Sequence, residues 1–244
     1  MSRSYRTLIA RHTRFLAIAT CLALSPIASA GPMTLSDVIG APGYEAIEDD
    51  PSLQAARLDD TDGVLDDSNF LLMMEGSPYA LSNSFGIYGF GYNLAGDVVL
   101  GDELEVFAGY QQPGFGFFPT VATLLFDLEN ETVQNLATGL TANIGALFGF
   151  YMDTPAGGGT RVYSHDDLNA DGQDAVLMFD TRSMSFMVGG ADLILAFDAG
   201  DGFGDGQFND MVIGLTDVTP VPTPGSLVFL ALGLTGLFRR RLHI

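Results

Sequence analysis

Between residues 31 and 218 the chain never carries an apolar pattern long enough for an amphipathic helix, and no segment repeats in tandem. Its apolar residues come in short runs at 85–90, 104–107, 121–128, 144–152, 175–179, 193–197 and 211–215, each broken off by Gly, Asn, Asp or Pro. Runs of that length, punctuated by turn residues, give short strands joined by tight loops, and they point to a β-sandwich rather than to βαβ units. In Leu193-Ile194-Leu195-Ala196-Phe197 the larger side chains at 193, 195 and 197 share one face, as the period of two requires. The expected fold is all-β, a jelly-roll-like β-sandwich over 70–218 with acidic Gly/Asp loops. An N-terminal signal helix and a short C-terminal apolar helix are expected to flank it. Residues 31–69, with Pro32, Pro42, Pro51 and many acids, read as a loosely ordered lead-in with room for one strand or short helix. Residues 219–226 read as a Pro-rich linker.

The 244 residues suffice for one domain and its termini. Thirty acidic residues stand against ten arginines, with no lysine and no tryptophan, and the distribution matters more than the total. Four arginines lie in the first 14 residues and three at 239–241, which leaves Arg57, Arg161 and Arg182 among all thirty acids. Such a body repels phosphate backbones, which excludes nucleic acid as a partner. Disorder is not implied, because 47% of the residues are apolar and 18 are Phe, enough to build a core.

The first thirty residues read as a secretory signal: an Arg-rich start, an apolar run at 15–24, and the small-residue exit Ala28-Ser29-Ala30. Ten apolar residues are too few for a bilayer-spanning helix, which takes ~20. Removal after Ala30 is expected, with Ala28 and Ala30 as the cleavage signal. Cys21, the only cysteine, would leave with it, and no disulfide or thiol nucleophile would remain.

At the other end, Val221-Pro222-Thr223-Pro224-Gly225-Ser226 precedes an apolar run at 227–238 and then Arg239-Arg240-Arg241. The prolines prevent a helix from continuing upstream, and a terminal Arg cluster is retained on the cytoplasmic side of a membrane. This order resembles the PEP-CTERM sorting signal of Gram-negative bacteria, with Thr223 where that family carries Glu. The resemblance implies export, transient anchoring in the inner membrane through a short transmembrane helix, and recognition by an exosortase-type processing enzyme. The other reading of the same residues is a plain C-terminal membrane anchor.

The strongest chemical motif is Asp167-Leu168-Asn169-Ala170-Asp171-Gly172-Gln173-Asp174. Oxygen-bearing side chains at alternate positions can converge on one cation, a Gly at the sixth position permits the tight turn, and hard oxygen donors suit Ca²⁺. Met178 occupies the position where an EF-hand needs Glu, and 175–179 reads as a strand, so this is a calcium loop leading into a strand. A solvated Asx-rich turn would use the same residues. A second cluster comprises Asp198, Asp201, Asp205, Asn209 and Asp210, threaded with glycines, where like charges repel unless they point outward or share a cation. The stretch 59–63 reads as a solvated loop.

Three places resemble domain-of-unknown-function family 4114, a bacterial surface module: Asn83-Ser84-Phe85-Gly86-Ile87-Tyr88, the segment 165–174, and Phe197-Asp198 with the closing Phe208-Asn209-Asp210. The resemblance spans roughly 70–216 and implies a secreted context without assigning chemistry. His165 is the one histidine between the two end signals, and no Gly-x-Ser-x-Gly, Walker or dinucleotide pattern is present. The expected function is therefore non-enzymatic: an exported, Ca²⁺-binding structural or adhesive protein of the cell surface or extracellular matrix, for which the resemblance implies contact with exopolysaccharide. Two rivals remain. One is a calcium-dependent carbohydrate-binding module using Tyr163 and Phe203; the other is a polysaccharide-cleaving enzyme working through paired carboxylates.

Overall fold

The computed structural model of the protein describes residues 33–59, 63–113, 119–155, 160–198 and 206–222. Among them thirteen strands form: β1 (Leu53–Leu58), β2 (Leu65–Met74), β3 (Ser84–Tyr92), β4 (Val98–Phe107), β5 (Thr120–Asp127), β6 (Thr132–Asn135), β7 (Thr141–Ala142), β8 (Leu147–Thr154), β9 (Thr160–Tyr163), β10 (Val176–Asp180), β11 (Leu193–Phe197), β12 (Met211–Leu215) and β13 (Val218–Pro222). The helical structure among the described residues includes α1 (Leu35–Ile39) and 3₁₀ turns at Asp166–Leu168, Ala170–Gly172 and Arg182–Val188. The protein is all-β.

The strands make two antiparallel sheets. The first runs β13-β1-β8-β3-β4, and the second runs β10-β11-β12-β2-β5-β6-β7. On one side of β8, β1 pairs with Leu147 and Phe148 while β9 takes over from Tyr151 to Thr154. The shared core draws on both sheets. Phe85, Ile87, Phe148, Phe150 and Val218 come from the first, and Phe70, Leu72, Phe126, Leu195 and Phe197 from the second. The Phe85 ring meets that of Phe197 edge-on at 5.8 Å, and Phe126 stacks on Phe148 at 5.4 Å, so aromatic contacts tie one sheet to the other.

Residues 193, 195 and 197 face this core as the period of two requires, while Ile194 and Ala196 belong to a second cluster on the outer face of the second sheet. Leu35, Val38 and Ile47 from the N-terminal segment and Val188 from the 3₁₀ segment cover that face. Thr34 caps α1: its Oγ1 accepts from the Asp37 N–H, and the Asp37 carboxylate accepts from the Thr34 N–H. Gly40, in the left-handed region at φ +65°, ends the helix.

The lead-in at 31–69 is therefore built into the fold, since α1, β1 and the first half of β2 all lie inside it. β1 is Leu-Gln-Ala-Ala-Arg-Leu, whose alanines become core only when β8 and β13 flank them. After Leu65, β2 continues with Asp66, Asp67, Ser68 and Asn69, polar residues that hide its alternation. Ser68 is fully buried and donates to the Thr216 carbonyl. The linker at 219–226 likewise begins inside β13, which pairs with β1 over its whole length. The signal peptide and C-terminal apolar segment lie outside the described residues.

Candidate functional site

The acidic loop 166–174 joins β9 to β10. Gly172 adopts φ +66°, the left-handed turn that its sixth position in the motif requires. Asn169 is already engaged within the loop. Its Oδ1 accepts from the Tyr163 N–H at 2.7 Å, and its Nδ2 donates to the carbonyls of Tyr163 and Gln173 at 2.8 and 2.9 Å. This buried amide staples the loop shut. Asp167 points to solvent, and Asp174 is exposed overall, with its Oδ1 turned in to accept from the Val176 N–H. The Asp171 side chain lies outside the described residues.

Two carboxylates that the motif does not contain join Asp174. Asp49, from the N-terminal segment, accepts the Met178 N–H at 2.8 Å. Asp166 accepts from Gln54 Nε2 at 2.7 Å. Burial, reinforced by the charges of Asp174 and Asp50, pushes Asp49 up to about 6. Burial, with repulsion from Asp174, Asp167 and Asp49, likewise pushes Asp166 up to about 6, and burial raises Asp174. Among the described residues, none of the groups acting on these three is cationic. Asp49 lies 117 positions before Asp166, so motif spacing could not locate it; the acidic pair Asp49-Asp50 before Pro51 was its only trace.

As donors, Asp49, Asp166, Asp167 and Asp174 suit a hard divalent cation; the Asn169 Oδ1 is of the right type but already accepts from the Tyr163 N–H. Their side chains are not yet gathered around one point: among the described residues, no three His, Cys, Asp or Glu side chains stand at metal-ligand spacing.

Next to the loop, His165 is buried rather than exposed. Its Nδ1 shares a 2.6 Å hydrogen bond with the Tyr88 hydroxyl, and its ring meets Phe90 edge-on at 4.4 Å. Desolvation lowers it to about 4, which keeps the imidazole neutral. Ser164 Oγ accepts from the Phe150 N–H and donates to the Gln54 carbonyl. These are bonds of a packed interior. Tyr163, half-buried, packs edge-on against Tyr88 at 5.4 Å; Phe203 lies outside the described residues.

The second acidic cluster spans the loop between β11 and β12, of which Asp201 and Asp205 lie outside the described residues. Asp198 is buried, accepts from the Gly206 N–H at 3.0 Å, and donates its own N–H to the Ala175 carbonyl. Asp210 donates its N–H to the Phe197 carbonyl, and Asn209 accepts from the Gly76 N–H. Beside that contact stands Glu75, absent from the sequence motifs. Burial raises its carboxyl to about 8 against a hydrogen bond from Gln112, and Oε1 has no partner among the described residues. The buried Asn83 amide is also without a partner among them.

Of the sorting residues, Val221 and Pro222 are the last two of β13. Thr223, Pro224, Arg239, Arg240 and Arg241, like Ala28 and Ala30, lie outside the described residues. Among the described residues no helix is long and apolar enough to cross a membrane. Compared with known proteins, the chain matches no protein-family model, no curated protein and no solved structure.

Proposed function

We propose that this is a non-enzymatic protein exported from a Gram-negative cell. Its jelly-roll-like β-sandwich binds Ca²⁺ and serves a structural or adhesive role at the surface or in the matrix, against exopolysaccharide. Sorting runs through residues 221–241 and an exosortase-type enzyme. One observation supports the calcium part: Asp49, Asp166 and Asp174 repel one another, the first two half-buried, and no cation is among the groups acting on them. A divalent ion offsets that repulsion and draws the carboxylates together. When bound, it supplies charge neutralisation and cross-links the N-terminal segment to the 166–174 loop, with no bond made or broken.

Extracellular sites of this kind have dissociation constants on the order of 10⁻⁴–10⁻³ M. At a hundredfold excess over such a constant, binding adds about 2.7 kcal/mol, or roughly 5–10 °C in melting temperature for a domain of this size. For a constant of ~10⁻⁴ M we expect the purified chain to gain that much in 10 mM CaCl₂ over EDTA, and about half of it for a constant of ~10⁻³ M. Asp166→Asn and Asp174→Asn should melt higher than wild type in EDTA, because repulsion is relieved, and should lose most of the calcium gain. A melting temperature indifferent to millimolar Ca²⁺ rejects the reading.

A further inference from the structure

We propose that the pairing of β13 with β1 masks the front half of the sorting segment, so that Val221 and Pro222 reach the processing enzyme only when β13 lifts off β1. The inference rests on reading residues 221–241 as a sorting signal. Five residue pairs hold the two strands together: Leu58 with Val218, Arg57 with Thr219, Ala56 with Pro220, Ala55 with Val221 and Leu53 with Pro222. The near end is firmly set. Val218 is fully buried in the shared core, and the Thr219 hydroxyl donates to Asp59, whose own N–H donates to the Asp217 carbonyl. The far end is looser. The register shifts between Leu53 and Ala55, Val221 is half-buried and Pro222 is exposed. Gln54 sits at that irregularity, held by Ser164 through its carbonyl and by Asp166 through its amide.

An enzyme that reads an extended peptide does so largely by adding a strand to it, through main-chain hydrogen bonds along one edge. β13 has two edges. Successive residues of a strand turn their N–H groups to opposite sides, and proline has none to offer. Within 219–222 only Thr219 and Val221 can donate to β1, so Pro220 and Pro222 face the other side. One edge of the segment is thus occupied by β1 and the other lacks donors. The same prolines protect β13, the end strand of its sheet, from pairing with a second chain. Nor does the chain beyond offer much room. Only residues 223–226 separate Pro222 from the apolar run at 227, and four extended residues reach about 14 Å at most.

The test follows the C-terminus of the full chain by mass spectrometry in a bacterium that supplies a PEP-type sorting enzyme. Ala55→Pro removes a pairing that belongs to β13 alone, because β1 meets β8 at Ala56 and Arg57. We expect processing roughly tenfold faster than wild type. In case this variant fails to fold, a second one inserts a further Val-Pro-Thr-Pro-Gly-Ser after Ser226, which leaves β13 paired and presents an unmasked copy. It too should be processed faster, at the new copy. Equal rates in wild type and both variants overturn the masking while leaving the sorting reading intact. If no form is processed, the sorting reading fails, and a proline-specific endopeptidase on the purified chains then decides the masking. Slow cleavage after Pro220 and Pro222 in wild type, relieved in Ala55→Pro, supports it, and equal cleavage rejects it.

Discussion

The two sheets share one core but cover their outer faces by different means. On the second sheet, α1 and the 182–188 segment lay Leu35, Val38 and Val188 over Leu177, Phe179, Ile194 and Val212, so β10, β11 and β12 are buried on both sides. On the first sheet the strands' own side chains lie flat across glycines. The Tyr88 ring covers Gly149 and the Tyr151 ring covers Gly86, so closely that a Cβ at Gly149 would stand 2.4 Å from Tyr88 and one at Gly86 2.3 Å from Tyr151. Arg161 lies over the Tyr151 ring at 4.3 Å and is held there by Asp153 and Glu103, which raise its pKa further. A face can thus be sealed by an added apolar layer or by aromatic rings folded onto missing side chains. The first depends on hydrophobic area, the second on close steric fit.

Substitutions on the two faces should separate these mechanisms. The largest effect is expected from Leu35→Ala, which removes a fully buried side chain from the apolar layer and should cost about 2–5 kcal/mol; a loss below 1 kcal/mol in denaturant unfolding would show that α1 is not integral to the domain. Gly149→Ala should cost about 1–3 kcal/mol by forcing the Tyr88 ring aside. It should also disturb the near-ultraviolet circular dichroism of the tyrosines, which Leu35→Ala should leave largely alone. Tyr88→Phe keeps the ring over Gly149 but strips the His165 bond, for a loss of about 1–2 kcal/mol.

The smallest effect is a pH slope. Asp49 and Asp166, raised to about 6, hold protons that the unfolded chain has released. Their contribution is full below the ordinary carboxylate range and is lost as pH rises through 6. His165, lowered to about 4, works the other way: its contribution is present above 6.5 and is lost as pH falls toward 4. The two oppose each other over that window. From pH 6.5 to 8, Glu75 dominates, and stability should decline as its carboxyl ionises. Melting curves in EDTA should show the decline in wild type and a flat response in Glu75→Gln.

How much the sequence disclosed followed from the faces. β10, β11 and β12, buried on both sides, stand out as unbroken apolar runs, and β11 and β12 coincide with the expected segments residue for residue. β1, β9 and β13 did not stand out, because alanines, a four-residue length and alternate prolines carry little apolar signal until neighbours bury them. The loop shows the same limit. Gly172 was legible because only a left-handed turn calls for glycine there. Asn169 was not, because an amide that staples a loop and one that ligates a cation occupy the same position in the motif.

By itself, then, the sequence determined the all-β class, the net acidity of the body, the position of the acidic turn and the order of the segments at either end. These are local or compositional properties, set by residues near one another in the chain. Only the tertiary structure decided that Asp49 stands beside Asp166 and Asp174, that His165 is buried against Tyr88 and Phe90, and that Val221 and Pro222 lie against β1. The reason is physical. Repulsion, desolvation and strand pairing act through space, between segments 75 or more residues apart, and no spacing along the chain records them.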